Sequence, residues 1–151
     1  MARIKHPDEG KPIDKSLTRR KTGKTKTKDP GYLKWLHQLE CCITGSTDSN
    51  DTFRKLDAHH PRIGLYAAGM KAPDKTAVPV RHDYHSDQFP TGLHNGERAF
   101  WNQWGIDPVM LAEELYRAYQ AGARPVDGCM LIRCHRELGT HRLMAGILIY
   151  D

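Results

Sequence analysis

Asp57-Ala58-His59-His60 and, further along, Ala77-Val78-Pro79-Val80-Arg81-His82-Asp83-Tyr84-His85 are the stretches that decide the fold. The first ends in paired histidines. A Gly-containing loop with Gly64, Gly69, Lys71 and Asp74 follows it. Val78-Pro79-Val80 then reads as a short strand, because β-branched residues bounded by turn formers favour extended backbone. A helix is expected to start around Asp83. A hairpin followed by a helix would bring histidines that are distant in sequence into one place.

Five histidines fall between residues 59 and 94: His59, His60, His82, His85 and His94. Imidazole is the commonest metal ligand in proteins and the usual general base near neutral pH. One histidine is most often an ordinary surface or core residue. Five in one window, in this order, point to a metal-assisted site.

The order of motifs resembles that of the ββα-metal (HNH, or His-Me finger) endonucleases, and most of all the small phage and prophage nucleases of the recombination-enhancement (Ref) type. The residues that carry the likeness are Ala58-His59-His60, Gly69-Met70-Lys71-Ala72-Pro73-Asp74, Val78-Pro79-Val80, His85, His94 and Gly96-Glu97-Arg98-Ala99-Phe100-Trp101. The likeness extends over roughly residues 32–120. It implies that His59 binds a metal ion, that His60 activates water, and that His85 and His94 complete the metal site. Asp74 stands at the family's central Asn position, where it would orient the base or brace the loop.

That chemistry is hydrolysis of a DNA phosphodiester. It needs a water deprotonated near pH 7 and charge stabilisation on the phosphoryl and leaving oxygens, which one divalent cation supplies. Three imidazoles favour zinc, nickel or manganese on ligand softness. The family's frequent use of magnesium leaves zinc, magnesium and manganese as the expected ions. A Ref-like enzyme would act on recombination or replication intermediates of a phage, with a recombinase filament presenting the DNA.

Two departures from the family pattern stand out. Many relatives carry a structural zinc knuckle with ligands from a Cys-x-x-Cys-Gly turn and a later Cys-x-x-His. Here those segments read Cys41-Cys42-Ile43-Thr44-Gly45 and Arg81-His82-Asp83-Tyr84, so Thr44, Arg81 and Tyr84 stand at ligand positions. A four-ligand site fails when one ligand goes, so no structural zinc is expected, and Cys41 becomes a packing residue. The second departure is the gap between His85 and His94. Nine residues on a continuous helix turn through about 900°, half a turn off one face. Pro90 and Gly92 would break such a helix in any case. Either His94 returns by a loop, which is the favoured reading, or His82 replaces it, three residues from His85.

Outward from this centre, helix signals repeat. Asp29-Pro30 and Asp107-Pro108 each offer a capping carboxylate followed by a proline suited to a first turn. Tyr32, Leu33, Trp35, Leu36 and Leu39 follow the first at helical spacing; Met110, Leu111, Leu115, Ala118 and Tyr119 follow the second. Gly122 is placed to stop that helix. Residues 95–104 read as a helix ending at Gly105, and residues 40–56 as a turn-rich segment. Residues 129–133 and 143–150 are apolar enough for strands.

The net charge of +5 is concentrated at one end. Residues 1–31 hold ten Lys/Arg against four Asp/Glu, and the remainder thirteen against fourteen. Residues 1–29 have two isoleucines, one leucine and no aromatic residue, too little apolar surface to offset the entropy of ordering. They are expected to form a disordered basic arm. Its cations Arg19, Arg20, Lys21, Lys24, Lys26 and Lys28, with Lys71 of the loop, would contact DNA phosphates.

The four cysteines, Cys41, Cys42, Cys129 and Cys134, are expected to stay reduced. The spacing of Cys129, Cys134, His135 and His141 matches no trusted ligand pattern. No apolar run approaches a membrane span, and no apolar segment follows the basic N-terminus as a signal peptide would require. A soluble, cytoplasmic protein is expected; if it is phage-encoded, as the resemblance implies, that cytoplasm is a bacterial host's.

The fold class expected is α+β: a ββα-metal HNH core with flanking helices. It divides into the arm at 1–29, a nuclease domain at 30–122 and a C-terminal extension at 123–151. The alternative is a non-catalytic DNA-binding module that retains the fold. A zinc peptidase or amidase is a weaker rival, since the chain lacks His-Glu-x-x-His.

Overall fold

The structure is a computed structural model, and it describes residues 27–63, 72–86 and 92–139. Among the described residues, five helices combine with a two-stranded sheet, an α+β arrangement. Helix α1 spans Pro30–Leu36. The Asp29 carboxylate accepts from the Tyr32 amide at 3.0 Å, satisfying one of the amides that a helix start leaves without a partner. Thr27 and Asp29, at the end of the stretch expected to be a disordered arm, are tied into this framework. The Thr27 carbonyl accepts from the Asp74 amide, and the Asp29 amide donates to Asp74 Oδ2. Residues 1–26 lie outside the described residues.

After α1 the chain turns tightly through Cys41–Gly45. The Gly45 amide donates to the Cys41 carbonyl at 2.9 Å. Gly45 has φ +72°, a left-handed conformation that an L side chain resists. Strand β1, Leu56–His59, pairs antiparallel with β2, Val78–Arg81, so that His59 faces Val78 and Asp57 faces Val80. Pro79 fits this sheet because a two-stranded sheet is all edge and does not need every amide. Its carbonyl accepts from the Cys42 amide, which fixes the Cys41 turn to β2.

Helix α2, His82–His85, follows β2 directly. A single 3-10 turn, Leu93–Asn95, precedes α3, Glu97–Trp104, which Gly105 ends. Helix α4, Pro108–Gln120, begins at Asp107, whose Oδ1 accepts from the Val109 and Met110 amides. It buries Leu111, Ala112 and Leu115. Tyr116 and Tyr119 on α4 meet Tyr32 of α1 with ring centroids 5.0 and 5.3 Å apart.

Residues 129–133, read above as a possible strand, lie instead within helix α5, Pro125–Leu138. The helix wins because Pro125 suits its first turn, Asp127 accepts from the Arg124 amide, and Gly128, Ile132 and His135 recur at helical spacing on the buried side. Residues 143–150 fall outside the described residues. A Cβ on Gly128 would stand 2.7 Å from the Trp35 ring and 2.9 Å from Leu39, so α5 and α1 meet at van der Waals contact there. Buried Glu40 also binds α5, accepting from Arg133 at 3.1 Å and Arg136 at 3.3 Å.

The buried core of the described residues includes Tyr32, Leu36, Leu39, Val78, Val80, Leu93, Trp101, Leu111, Leu115 and Ile132, drawn from α1, β2, α3, α4, α5 and the segments beside them. No described helix is long and apolar enough to cross a membrane.

Candidate metal centre and general base

Strand parity starts the site. Side chains at i and i+2 share a strand face, so Asp57 and His59 project from β1 to the same side. Helix α2 lies against both strands and presents His82 and His85 there. Leu93 is fully buried, and this anchors the 3-10 turn that carries His94 to the same place. One ring nitrogen from each of His59, His85 and His94 lies within 4.8 Å of the others. Ring centroids are 5.1 Å apart for His59 and His85, 5.9 Å for His59 and His94, and 4.8 Å for His85 and His94.

These three histidines could hold a metal ion. Tetrahedral coordination at roughly 2.0–2.1 Å sets ligand nitrogens about 3.3 Å apart, so the rings would close in by no more than about 1.5 Å. Among the described residues this is the one such grouping of histidine, cysteine and carboxylate side chains. His94 rather than His82 completes it; His82 turns its Nδ1 to Asp57 Oδ2 at 2.6 Å.

Two carboxylates to which the sequence alone assigns no role, Asp57 and Glu97, set the rings. Asp57 Oδ2 also accepts from His85 Nδ1 at 2.9 Å. Burial raises the Asp57 pKa, but the hydrogen bonds and charges of His85 and His82 outweigh it and hold the carboxyl below its ordinary range. Glu97, at the start of α3, accepts from His59 Nε2 at 2.8 Å, from the Arg62 amide at 3.1 and 3.2 Å, and from Trp101 Nε1 at 3.4 Å. It too is held low: burial raises its pKa, and His59, Arg62 and Trp101 lower it further than that.

His59 is buried, and that burial pushes its pKa down despite the opposing pull of Glu97; His85 and His94 lower it further. A neutral His59 beside an ionised Glu97 puts the ring proton on Nε2, because a carboxylate only accepts. Nδ1 of His59 is left with a lone pair. Asp57, bonded to Nδ1 of His85, leaves that ring's Nε2 turned away from the carboxylate. Outer carboxylates that fix the tautomer and orientation of histidine ligands are a regular part of metal sites.

His60, the residue after β1, stays partly exposed, with its Nε2 3.4 Å from Asp74 Oδ1. Asp74 is buried in the 3-10 turn Asp74–Thr76, and its other oxygen accepts from the Asp29 amide. One Asp74 oxygen thus faces the His60 ring and the other the start of the first helical segment. Lys28 is exposed; Arg19, Arg20, Lys21, Lys24, Lys26 and Lys71 lie outside the described residues.

At the knuckle positions the two turns still meet. Cys41 Sγ accepts from the amides of Ile43, Thr44 and Arg81 at 3.4, 3.5 and 3.2 Å. Thr44 Oγ1 lies 2.8 Å from Ser46 Oγ. The Arg81 guanidinium makes a two-pronged pair with Asp83 and sits over the Tyr84 ring. All four cysteines are free. His135 is buried against Glu114 at 2.8 Å, and Cys134 on the same helix is exposed. His141 lies outside the described residues.

A small α+β fold carrying a three-histidine cluster and a carboxylate-held fourth histidine is the class that geometry defines. The family described as a protein of unknown function, DUF968, matches residues 12–122, most of the chain. The chain belongs to the DUF968 family. No curated protein and no solved structure matches it.

Proposed function

We propose that this protein is a metal-dependent endonuclease of the HNH type that hydrolyses DNA phosphodiester bonds. The observation that carries the reading is the pairing of two unlike sites along β1 and its continuation. His59, with His85 and His94, gathers around one point; His60, the next residue, is held separately by Asp74 and reaches solvent. A divalent cation bound by the three imidazoles supplies Lewis-acid stabilisation of the phosphoryl oxygens and the leaving 3′-oxygen. Imidazole ligands admit zinc and manganese readily, and magnesium is the third ion to try.

The chain's own residues do the rest. Asp74 accepts the Nε2 proton of His60, which leaves Nδ1 with the lone pair that takes a proton from the attacking water. The water oxygen forms its bond to phosphorus as the bond to the 3′-oxygen breaks. Asp57 and Glu97 hold the ligand rings in place through this change. The basic segment ahead of Thr27 adds sequence-independent grip on the phosphate backbone, and a recombinase filament as the presenting partner belongs to the same proposal.

The test is cleavage of supercoiled plasmid with zinc, manganese and magnesium in turn. Cutting is expected with at least one ion and its loss in His60→Ala, by roughly 10²-fold or more, with bound metal per chain unchanged. Binding of DNA without cutting under every ion overturns the enzymatic reading. Full nicking by His60→Ala overturns the assignment of the base.

A further inference from the structure

A cavity of about 530 Å³ opens between the Asp74–Thr76 turn and α4. Its size falls in the range of small-ligand sites, roughly 300–1,000 Å³. Pro61, which follows the proposed base, forms part of its wall, and so do Lys75 and Thr76, which follow the carboxylate holding that base. The cavity therefore continues the site on the His60 side.

Val109 and Ala112 on α4 give it an apolar lining, and Gln120, whose amide also hydrogen-bonds Tyr116 in the same wall, keeps a donor and an acceptor for a ligand. Two cations line it, Lys75 from the turn and Arg117 from α4. Neither has an ion pair among the described residues, although Glu113 lies in the same cavity one helical turn before Arg117. Most other described arginines are paired: Arg81 with Asp83, Arg124 with Asp127, Arg133 and Arg136 with Glu40. Two unpaired cations on facing elements, above an apolar floor and beside an amide, match an anionic group attached to a flat, partly apolar one that carries hydrogen-bonding edges.

We propose that this cavity binds one nucleotide of the substrate strand next to the bond that is cut. Lys75 and Arg117 take its phosphate, and the apolar floor with Gln120 takes the sugar and base. The inference rests on the nuclease reading for its substrate and adds where a neighbouring nucleotide lies. An unstacked nucleotide held here means that the preferred substrate has a single-stranded or frayed segment on one side of the cut.

The experiment uses the full chain, isotope-labelled, in chelator so that no cleavage intervenes, titrated with thymidine 3′,5′-bisphosphate and separately with inorganic phosphate. Amide shifts are expected at Lys75, Thr76, Arg117 and Gln120. Affinity for the bisphosphate should fall about tenfold in Lys75→Ala and again in Arg117→Ala, the scale of a lost charged hydrogen bond. It should rise about twofold in Glu113→Gln, which removes a repelling charge; a melting curve for each of these surface variants checks the fold. Inorganic phosphate should bind more weakly than the bisphosphate. Shifts elsewhere, equal binding of the two ligands, or unchanged affinity in the double cation variant overturns the proposal. If no ion supports plasmid cleavage, the nuclease reading fails while the titration still decides the cavity. If cleavage occurs, the cation variants should raise KM for a gapped oligonucleotide by a larger factor than they lower kcat.

Discussion

Glu97 accepts from three donors at once, and they belong to the His59 ring of the three-histidine cluster, to the backbone just past the proposed base, and to a core tryptophan. That makes it a positioning residue for His59 and for the loop that leaves β1. In Glu97→Gln the size is kept but the charge that fixes the His59 proton on Nε2 is gone. Zinc affinity, measured by competition with a chromophoric chelator, is expected to drop about 10- to 100-fold. An affinity within twofold of the parent protein would refute the role. The histidine cluster is legible because imidazole chemistry narrows what such a cluster can do, and the resemblance is what gives His59 and His60 different expected roles. Glu97 and Asp57 were not assigned, because carboxylates are common and only tertiary structure selects their partners. Parity along β1 did carry a usable signal for Asp57, since it sits two residues before His59 on the same face.

Helices announced themselves where capping chemistry was local. Asp29-Pro30 and Asp107-Pro108 give α1 and α4 their starts, and both starts are where the residues indicate. The run Cys129–Arg133 was ambiguous because a short apolar stretch suits a buried helix as well as a strand. What decides it is remote: Gly128 lets α5 lie directly on Trp35 and Leu39 of the first helical segment. This contact makes a prediction. Alanine normally gains about 1 kcal/mol over glycine within a helix. In Gly128→Ala the new methyl meets two core side chains closer than 3.0 Å, and overpacking of this kind costs about 1–3 kcal/mol. The clash is expected to win, lowering Tm by a few degrees in a calorimetric scan. A rise in Tm would show that α5 can move off α1 at little cost.

Across the molecule, three groups of the site push pH dependence the same way. His59 is held below its ordinary value of 6.5, so on acidification the unfolded chain takes up that proton first. Asp57 and Glu97 are held below 3.8 and 4.5, so they too are protonated first in the unfolded chain. Stability must fall with falling pH wherever the unfolded state binds more protons. The metal-free protein is expected to lose Tm gently as pH drops below about 6.5 and steeply below about 4.5. In His59→Gln the gentle limb should disappear, while the steep one keeps the share of Asp57 and loses part of that of Glu97, which His59 helps to hold low; a gentle limb that persists would place the titration on another group.

Asp74 joins two things that lie far apart in the sequence. One of its oxygens holds the His60 ring, and the other holds the amide of Asp29, where the chain enters the described fold. The chain entering at Thr27 is fastened to the backbone of the same aspartate. Tension applied to the chain at Thr27 would thus be delivered one hydrogen bond away from the His60 imidazole, and under the proposed function a grip on a long polymer and the aim of the proton acceptor would share one mechanical anchor.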